Sequence, residues 1–134
     1  MNEADGSHPK CNCLEFMSDG KSIITGWTDG RIRAYLPQSG QLFYLIKDGH
    51  RGNNPTALSP GGTTCLSTSL NCQNCLTGGT DGEIRLWQIG KQTQKLIISQ
   101  RMHKGPITAI MYIQNDYMAA SASIDGQIML WDLT

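Results

Sequence analysis

Ser121, His103 and Asp125 together supply the residue types of an acyl-transfer triad. A catalytic serine needs an exposed Oγ and an oxyanion hole. Ser121 instead occupies a position that recurs along the chain and is filled by threonine elsewhere, which argues for a structural hydroxyl, and no catalytic residue is expected. Gly78-Gly79-Thr80-Asp81-Gly82 is rich in glycine but lacks the Gly-Lys-Ser/Thr ending that grips phosphate, and no helical pattern follows it, so it reads as a turn. Cys11-x-Cys13 and Cys72-x-x-Cys75 offer four thiolates, the number that tetrahedral zinc takes. The two pairs belong to different repeat units. The second straddles a turn into a strand, and alternation along one strand puts Cys11 and Cys13 on the same side. They read as ordinary buried or turn cysteines, and neither a metal nor a cofactor is expected.

Bulk properties narrow the class further. A chain of 134 residues suits one domain, and 39% hydrophobic with 16% charged residues suits a globular one. Lys plus Arg and Asp plus Glu both number 11, so there is no net positive field to gather phosphates or anionic lipid. Nucleic acid and membrane are therefore not the expected partners. Residues 1–10 form a polar leader with no apolar core of a signal sequence, and no later stretch approaches the roughly 20 apolar residues of a membrane span. Five cysteines and no Asn-x-Ser/Thr acceptor fit reduced thiols in a soluble cytoplasmic chain.

The polar residues just named are positioned by an internal repeat. Ile24 to Tyr35, Leu76 to Trp87 and Ala120 to Trp131 align, each with Ser or Thr, then Asp-Gly four residues on, then Ile, then an aromatic residue six after the Asp. The aligned Asp29, Asp81 and Asp125 lie 52 and 44 residues apart, the second interval within and the first longer than the period of about 40–45 residues of a four-stranded propeller blade. Short β-prone runs alternate with turn pairs, and no 3.6-residue period appears. The pattern predicts strands near Asn12–Phe16, Lys21–Trp27, Arg31–Leu36 and Gln41–Lys47 in the first unit, and near Thr64–Thr68, Asn74–Gly79, Glu83–Ile89 and Lys95–Gln100 in the second. The third unit has Ile107–Ile113, Tyr117–Ser123 and Gln127–Asp132, and no fourth strand follows. The repeats run about 11–48, 49–101 and 102–134.

Gly49-His50, Asp81-Gly82, Trp87 and Trp131-Asp132 resemble the signature of the WD-repeat family, over most of the chain. The resemblance implies an all-β propeller of about three four-stranded antiparallel blades, the last incomplete. It also implies a hydrogen-bonded set of His, Ser or Thr, Asp and Trp in each blade. By position these are His50, Thr77, Asp81 and Trp87 in the second unit and His103, Ser121, Asp125 and Trp131 in the third. The first unit offers Thr25, Asp29 and Tyr35. Tyr35 stands where the others have Trp, and the only upstream histidine, His8, lacks a preceding Gly. Arg51 to Gly62, rich in Gly, Pro and Asn, reads as a loop inserted after His50.

Asp19 to Ile24, Asp29 to Ala34 and Trp87 to Leu96 further resemble the WD-repeat proteins of cilia and flagella. That narrower resemblance implies a scaffold of the motile-cilium axoneme, held against tubulin and neighbouring proteins inside doublet microtubules, of which this chain holds part of one propeller. The alternative is a soluble cytoplasmic adaptor that captures a peptide or signalling partner. An adaptor concentrates contacts on the face shared by inter-blade loops and second turns, where Trp27 and Ile124 are the large apolar members. A scaffold uses broader side surfaces, for which Arg31, Arg33 and Arg85 on the third strands are the candidates. A partial ring leaves apolar blade faces open, so either the remaining blades of a longer parent or self-association is expected to cover them.

Overall fold

The computed structural model describes residues 8–47, 49–50, 62–90, 92–101, 103–113 and 115–133. These are strands and turns, arranged as three antiparallel sheets that follow one another along the chain. The first contains β1 (Cys11–Phe16), β2 (Ile23–Trp27), β3 (Ile32–Tyr35) and β4 (Leu42–Ile46), in that order across the sheet. The second contains β5 (Thr63–Thr68), β6 (Asn74–Gly79), β7 (Glu83–Ile89) and β8 (Gln94–Arg101), again in order. The third contains β9 (Ile107–Ile113), β10 (Met118–Ser123) and β11 (Ile128–Asp132). The all-β class and the three-stranded last blade agree with the sequence, with strand starts shifted by at most two residues. No helix among the described residues is long and apolar enough to cross a membrane.

The turn between the second and third strands of each blade explains the repeated Asp-Gly. Gly30, Gly82 and Gly126 adopt φ values of 83°, 76° and 86°, a region open to glycine and costly for other residues. The preceding carboxylate closes the turn by accepting the backbone N–H two residues on: Arg31 N to Asp29 Oδ1 at 3.0 Å, Glu83 N to Asp81 Oδ1 at 3.0 Å and Gln127 N to Asp125 Oδ1 at 2.9 Å.

Packing between sheets follows from strand alternation. One cluster joins Ile24, Ile32, Ala34 and Ile46 of the first sheet to Leu66, Cys75 and Trp87 of the second. The other joins Cys65, Leu76 and Ile84 of the second sheet to Ile107, Ile110 and Ala119 of the third. The adjacent residues Cys75 and Leu76 thus serve opposite faces, so the second sheet is apolar on both sides. Each fully buried Ile or Leu stabilises by about 1.5–3 kcal/mol. The inner strands are also tied to one another, by Asn12 Nδ2 donating to Thr63 O at 2.9 Å and Tyr112 N donating to Ser67 Oγ at 3.1 Å.

The open face of the third sheet repeats residues that are buried in the other two. Ile32 and Ile84, each three positions after the turn Asp, are 1% and 6% exposed, whereas Ile128 at the same position is 76% exposed. Two sequence expectations need correction or restriction. A register shift between Cys11 and Cys13 pairs them with the consecutive residues Trp27 and Gly26, so the two cysteines face opposite sides instead of one. Of the inserted loop only Gly62 is among the described residues; 51–61 lie outside them.

Glycine is also required where the second sheet meets the third. A Cβ on Gly78 would stand 2.6 Å from Ile107 Cγ2 and 2.8 Å from the Cys65 sulfur. Gly78→Ala is expected to lower stability by about 1–3 kcal/mol by overpacking this interface. Urea unfolding monitored by tryptophan fluorescence checks it, and an unchanged midpoint would show that the sheets are not held this closely.

Candidate functional site

The second and third blades each bring four sequence-distant side chains into one chain of hydrogen bonds. His50 lies on the loop that follows β4, Thr77 on β6, Asp81 in the next turn and Trp87 on β7. His50 Nε2 is 2.8 Å from Thr77 Oγ1, and Nδ1 is 3.2 Å from Asp81 Oδ1. Trp87 Nε1 donates to the same Thr77 oxygen at 2.9 Å. In the third blade His103 Nε2 is 2.9 Å from Ser121 Oγ, Nδ1 is 3.2 Å from Asp125 Oδ2, and Trp131 Nε1 donates to Ser121 Oγ at 2.8 Å. A carboxylate only accepts, so the ring proton belongs on Nδ1. The hydroxyl accepts from the indole and passes its own hydrogen to Nε2. Gly79 makes room for this arrangement, since a Cβ there would stand 2.4 Å from His50 Nδ1.

The Lys104 backbone N–H, donating at 2.9 Å, holds the Asp125 carboxyl below its ordinary range, helped by Gln127 N–H and His103 against the cost of burial. Asp, His and Ser stand here in triad order, but Ser121 is 2% exposed and its oxygen already receives the Trp131 N–H. The geometry fastens a turn to a sheet. It presents no nucleophile to a substrate.

The first blade is built differently. Trp27 occupies the position of Gly79 and Ser123, and its Nε1 donates to Thr25 Oγ1 at 2.6 Å. Arg33 lies directly across the hairpin from Thr25 and gives Asp29 the partner that histidine provides elsewhere, Nη2 donating to Oδ2 at 2.8 Å and Nη1 to Oδ1 at 3.3 Å. Its guanidinium carbon lies 4.9 Å from the Trp27 ring centroid. Burial opposes ionisation of Asp29, and the Arg33 pair with the Arg31 N–H outweighs it, leaving the carboxyl below its usual value. Thr25 donates to Arg33 O at 2.7 Å, and His8 is exposed in the segment that precedes β1.

Arg33 is the residue whose role sequence reading missed. The signal was available: hairpin register places it opposite Thr25, four residues after Asp29. Arg85 has the same register opposite Thr77. With His50 already on Asp81, Arg85 turns to Glu83 Oε2, at 2.6 and 3.1 Å, and to Gly49 O at 2.9 Å. Of the three arginines proposed for a docking surface, Arg31 is exposed, while Arg33 and Arg85 are half-buried in these pairs. Trp27 is likewise half-buried and engaged within its blade, whereas Ile124 is exposed on its turn.

Among the described residues, the His, Cys, Asp and Glu side chains close enough to share an ion are His50, Asp81 and Glu83, with ligand atoms within 4.8 Å. In the structure their atoms are engaged by Thr77, by His50 and by Arg85 in a hydrogen-bond network. The cysteines of the sequence-level zinc reading do not belong to this group. Burial pushes the Cys13 thiol up to about 12 and that of Cys65 up to about 11, and raises Cys75 further still.

Comparison with known proteins places this geometry. The WD domain, G-beta repeat family matches residues 5–35, 44–88 and 94–132. The chain is 42% identical over 123 residues to cilia- and flagella-associated protein 52 of Homo sapiens, covering 92% of this chain and 18% of that protein. It is 37% identical over 124 residues to the protein of that name from Chlamydomonas reinhardtii, covering 92% of this chain and 19% of that one. The chain thus spans just under a fifth of the length of these relatives. The solved structure of U3-55K superposes with a TM-score of 0.77 at 18% identity, covering 96% of this chain and 37% of that one. The Cps50 (Swd1) β-propeller domain of Myceliophteria thermophila gives 0.75 at 21%, covering 95% and 39%.

Removing the shared hydroxyl tests the network. Ser121→Ala is expected to cost about 1–3 kcal/mol, because the buried His103 Nε2 and the half-buried Trp131 Nε1 both lose their partner. Ser121→Thr, the residue found at positions 25 and 77, keeps the hydroxyl and is expected to cost less than the Ala variant. Equal unfolding midpoints for the Ala and Thr variants would refute the assignment. With the repeated turn, the buried hydroxyl network, the three stacked antiparallel sheets and the family match over most of its length, the chain belongs to the WD-repeat family of β-propellers.

Proposed function

We propose that this chain is part of a protein-interaction scaffold of the motile-cilium axoneme, contacting tubulin and neighbouring proteins inside doublet microtubules. The observation that carries this reading is its 42% and 37% identity to the cilia- and flagella-associated proteins of two distant organisms over 92% of its length. Identity at that level exceeds what the blade pattern alone demands, since the structural neighbours share the fold at 18–21%. The internal chemistry supports a non-enzymatic role. His50, Thr77 and Asp81, and likewise His103, Ser121 and Asp125, are hydrogen-bonded to one another. A cytoplasmic adaptor is the second reading, and the exposed Ile124 on the inter-blade face is what favours it.

The tagged full-length parent, followed in ciliated cells before and after detergent removes membrane and matrix, separates the two readings. Retention along the axoneme is expected. Complete loss into the soluble fraction, with an undisturbed axoneme when the protein is absent, would favour the adaptor. The apolar outer face of the third sheet adds a second expectation. The 134-residue chain alone covers Ile128 and Leu130 by associating with itself, while in the parent further blades cover them. Light scattering is expected to report oligomers, and a stable monomer that unfolds cooperatively would contradict this.

A further inference from the structure

The outer circumference of the propeller differs from the faces between blades, because it stays outside whether or not further blades close the ring. β4 and β8 are the last strands of their sheets, at the opposite edge from the mutually contacting β1 and β5. Both fourth strands carry a bulge at the same place. In the first blade Ala34 pairs with Tyr44 and Tyr35 with Leu42, so the register skips Phe43. In the second Leu86 pairs with Ile98 and Trp87 with Leu96, so it skips Ile97. Bulges and charges usually guard sheet edges against unwanted pairing. Here the extra residue is a large apolar side chain in both blades, with Phe43 48% and Ile97 46% exposed, flanked by exposed Leu42 and Leu96. Repetition in two blades sets these pairs apart from scattered surface hydrophobics.

The charges on these strands have one sign. Lys95 and Arg101 are exposed on β8, and neither β4 nor β8 contains a carboxylate. Glu83, in register with Arg101, has its carboxylate bound by Arg85 at 2.6 Å. Arg33 and Arg85 are held in ion pairs inside their blades, whereas Lys95 and Arg101 on β8 and Lys47 directly after β4 are exposed.

We propose that the bulged fourth strands form a docking surface along the propeller's outer rim for an acidic protein surface that offers apolar sockets, with Leu42 and Phe43 as one anchor, Leu96 and Ile97 as the next, and Lys95 and Arg101 meeting the acidic groups. This rests on the scaffold reading and locates its contact. Bulged backbone blocks simple strand addition, so side chains carry the contact and the backbone edge does not.

The test uses the full-length protein expressed in ciliated cells lacking their own copy, followed by detergent stripping and stepwise NaCl extraction of the axonemes. One variant carries Phe43→Ser with Ile97→Ser, and another Lys95→Glu with Arg101→Glu. All four residues are exposed, and thermal melting of the purified variants verifies that they fold. The expected result is that each variant leaves the axoneme at lower salt than the parent, with binding weakened about tenfold or more, as for loss of interface anchors. Folded variants retained like the parent would overturn the docking surface and leave the scaffold reading standing. A parent protein absent from stripped axonemes would overturn both.

Discussion

A sheet that is apolar on both faces cannot stand alone in water, and this requirement organises the chain. The second sheet shows it most directly, with Cys75 and Trp87 packed toward the first and Leu76 and Ile84 toward the third. Sheets related in this way stack in series, and each buries its two faces only against neighbours. Close stacking in turn forbids side chains at Gly26 and Gly78, where inner strands of the next sheet press against the middle of the blade. The same requirement makes the outer face of the third sheet apolar, so its composition is that of an interior.

Apolar stacking leaves the direction and spacing of the turns undetermined, and the polar networks supply that. Each places a hydroxyl on the second strand between an indole N–H and a second nitrogen or carbonyl partner, and anchors the turn carboxylate nearby. Buried polar groups destabilise when unpaired, so a network in which every member has a partner fixes one geometry over its competitors. Two chemical solutions meet this need in one chain, a histidine from the preceding loop in two blades and an Arg–Trp pair from within the blade in the other.

Much of this was legible in the sequence because it recurs there. The Asp-Gly turn, the Ser or Thr four residues before it and the aromatic residue six after the Asp repeat three times, and they placed all eleven strands to within one or two residues. What the repeat could not give was the departure from it. Trp27 stands where other blades have Gly or Ser, and the sequence leaves it between core filler and interface anchor, because its bond to Thr25 and its contact with Arg33 come from side-chain geometry that the repeat does not carry. The Cys11 and Cys13 alternation failed for a related reason. Bulges such as those at Asn12, Phe43 and Ile97 depend on how two strands meet, and a single strand's pattern does not encode them.

The two network types also differ in what they connect. His50 and His103 lie on the segments that follow the fourth strands of the first and second blades, yet they bind the hydroxyl and carboxylate of the blade that comes next. Each histidine therefore couples the placement of one blade to the turn of its successor, and the coupling runs in chain order. Arg33 and Trp27 act within their own blade, so among the described residues Asp29 takes its side-chain partner from its own hairpin, while the same turn is tied to the segment before β1 by Thr28 N donating to Lys10 O at 2.9 Å. Neighbouring units in such an array are coupled pairwise, and here His50 N donates back to Gly30 O at 2.8 Å and joins the first two turns.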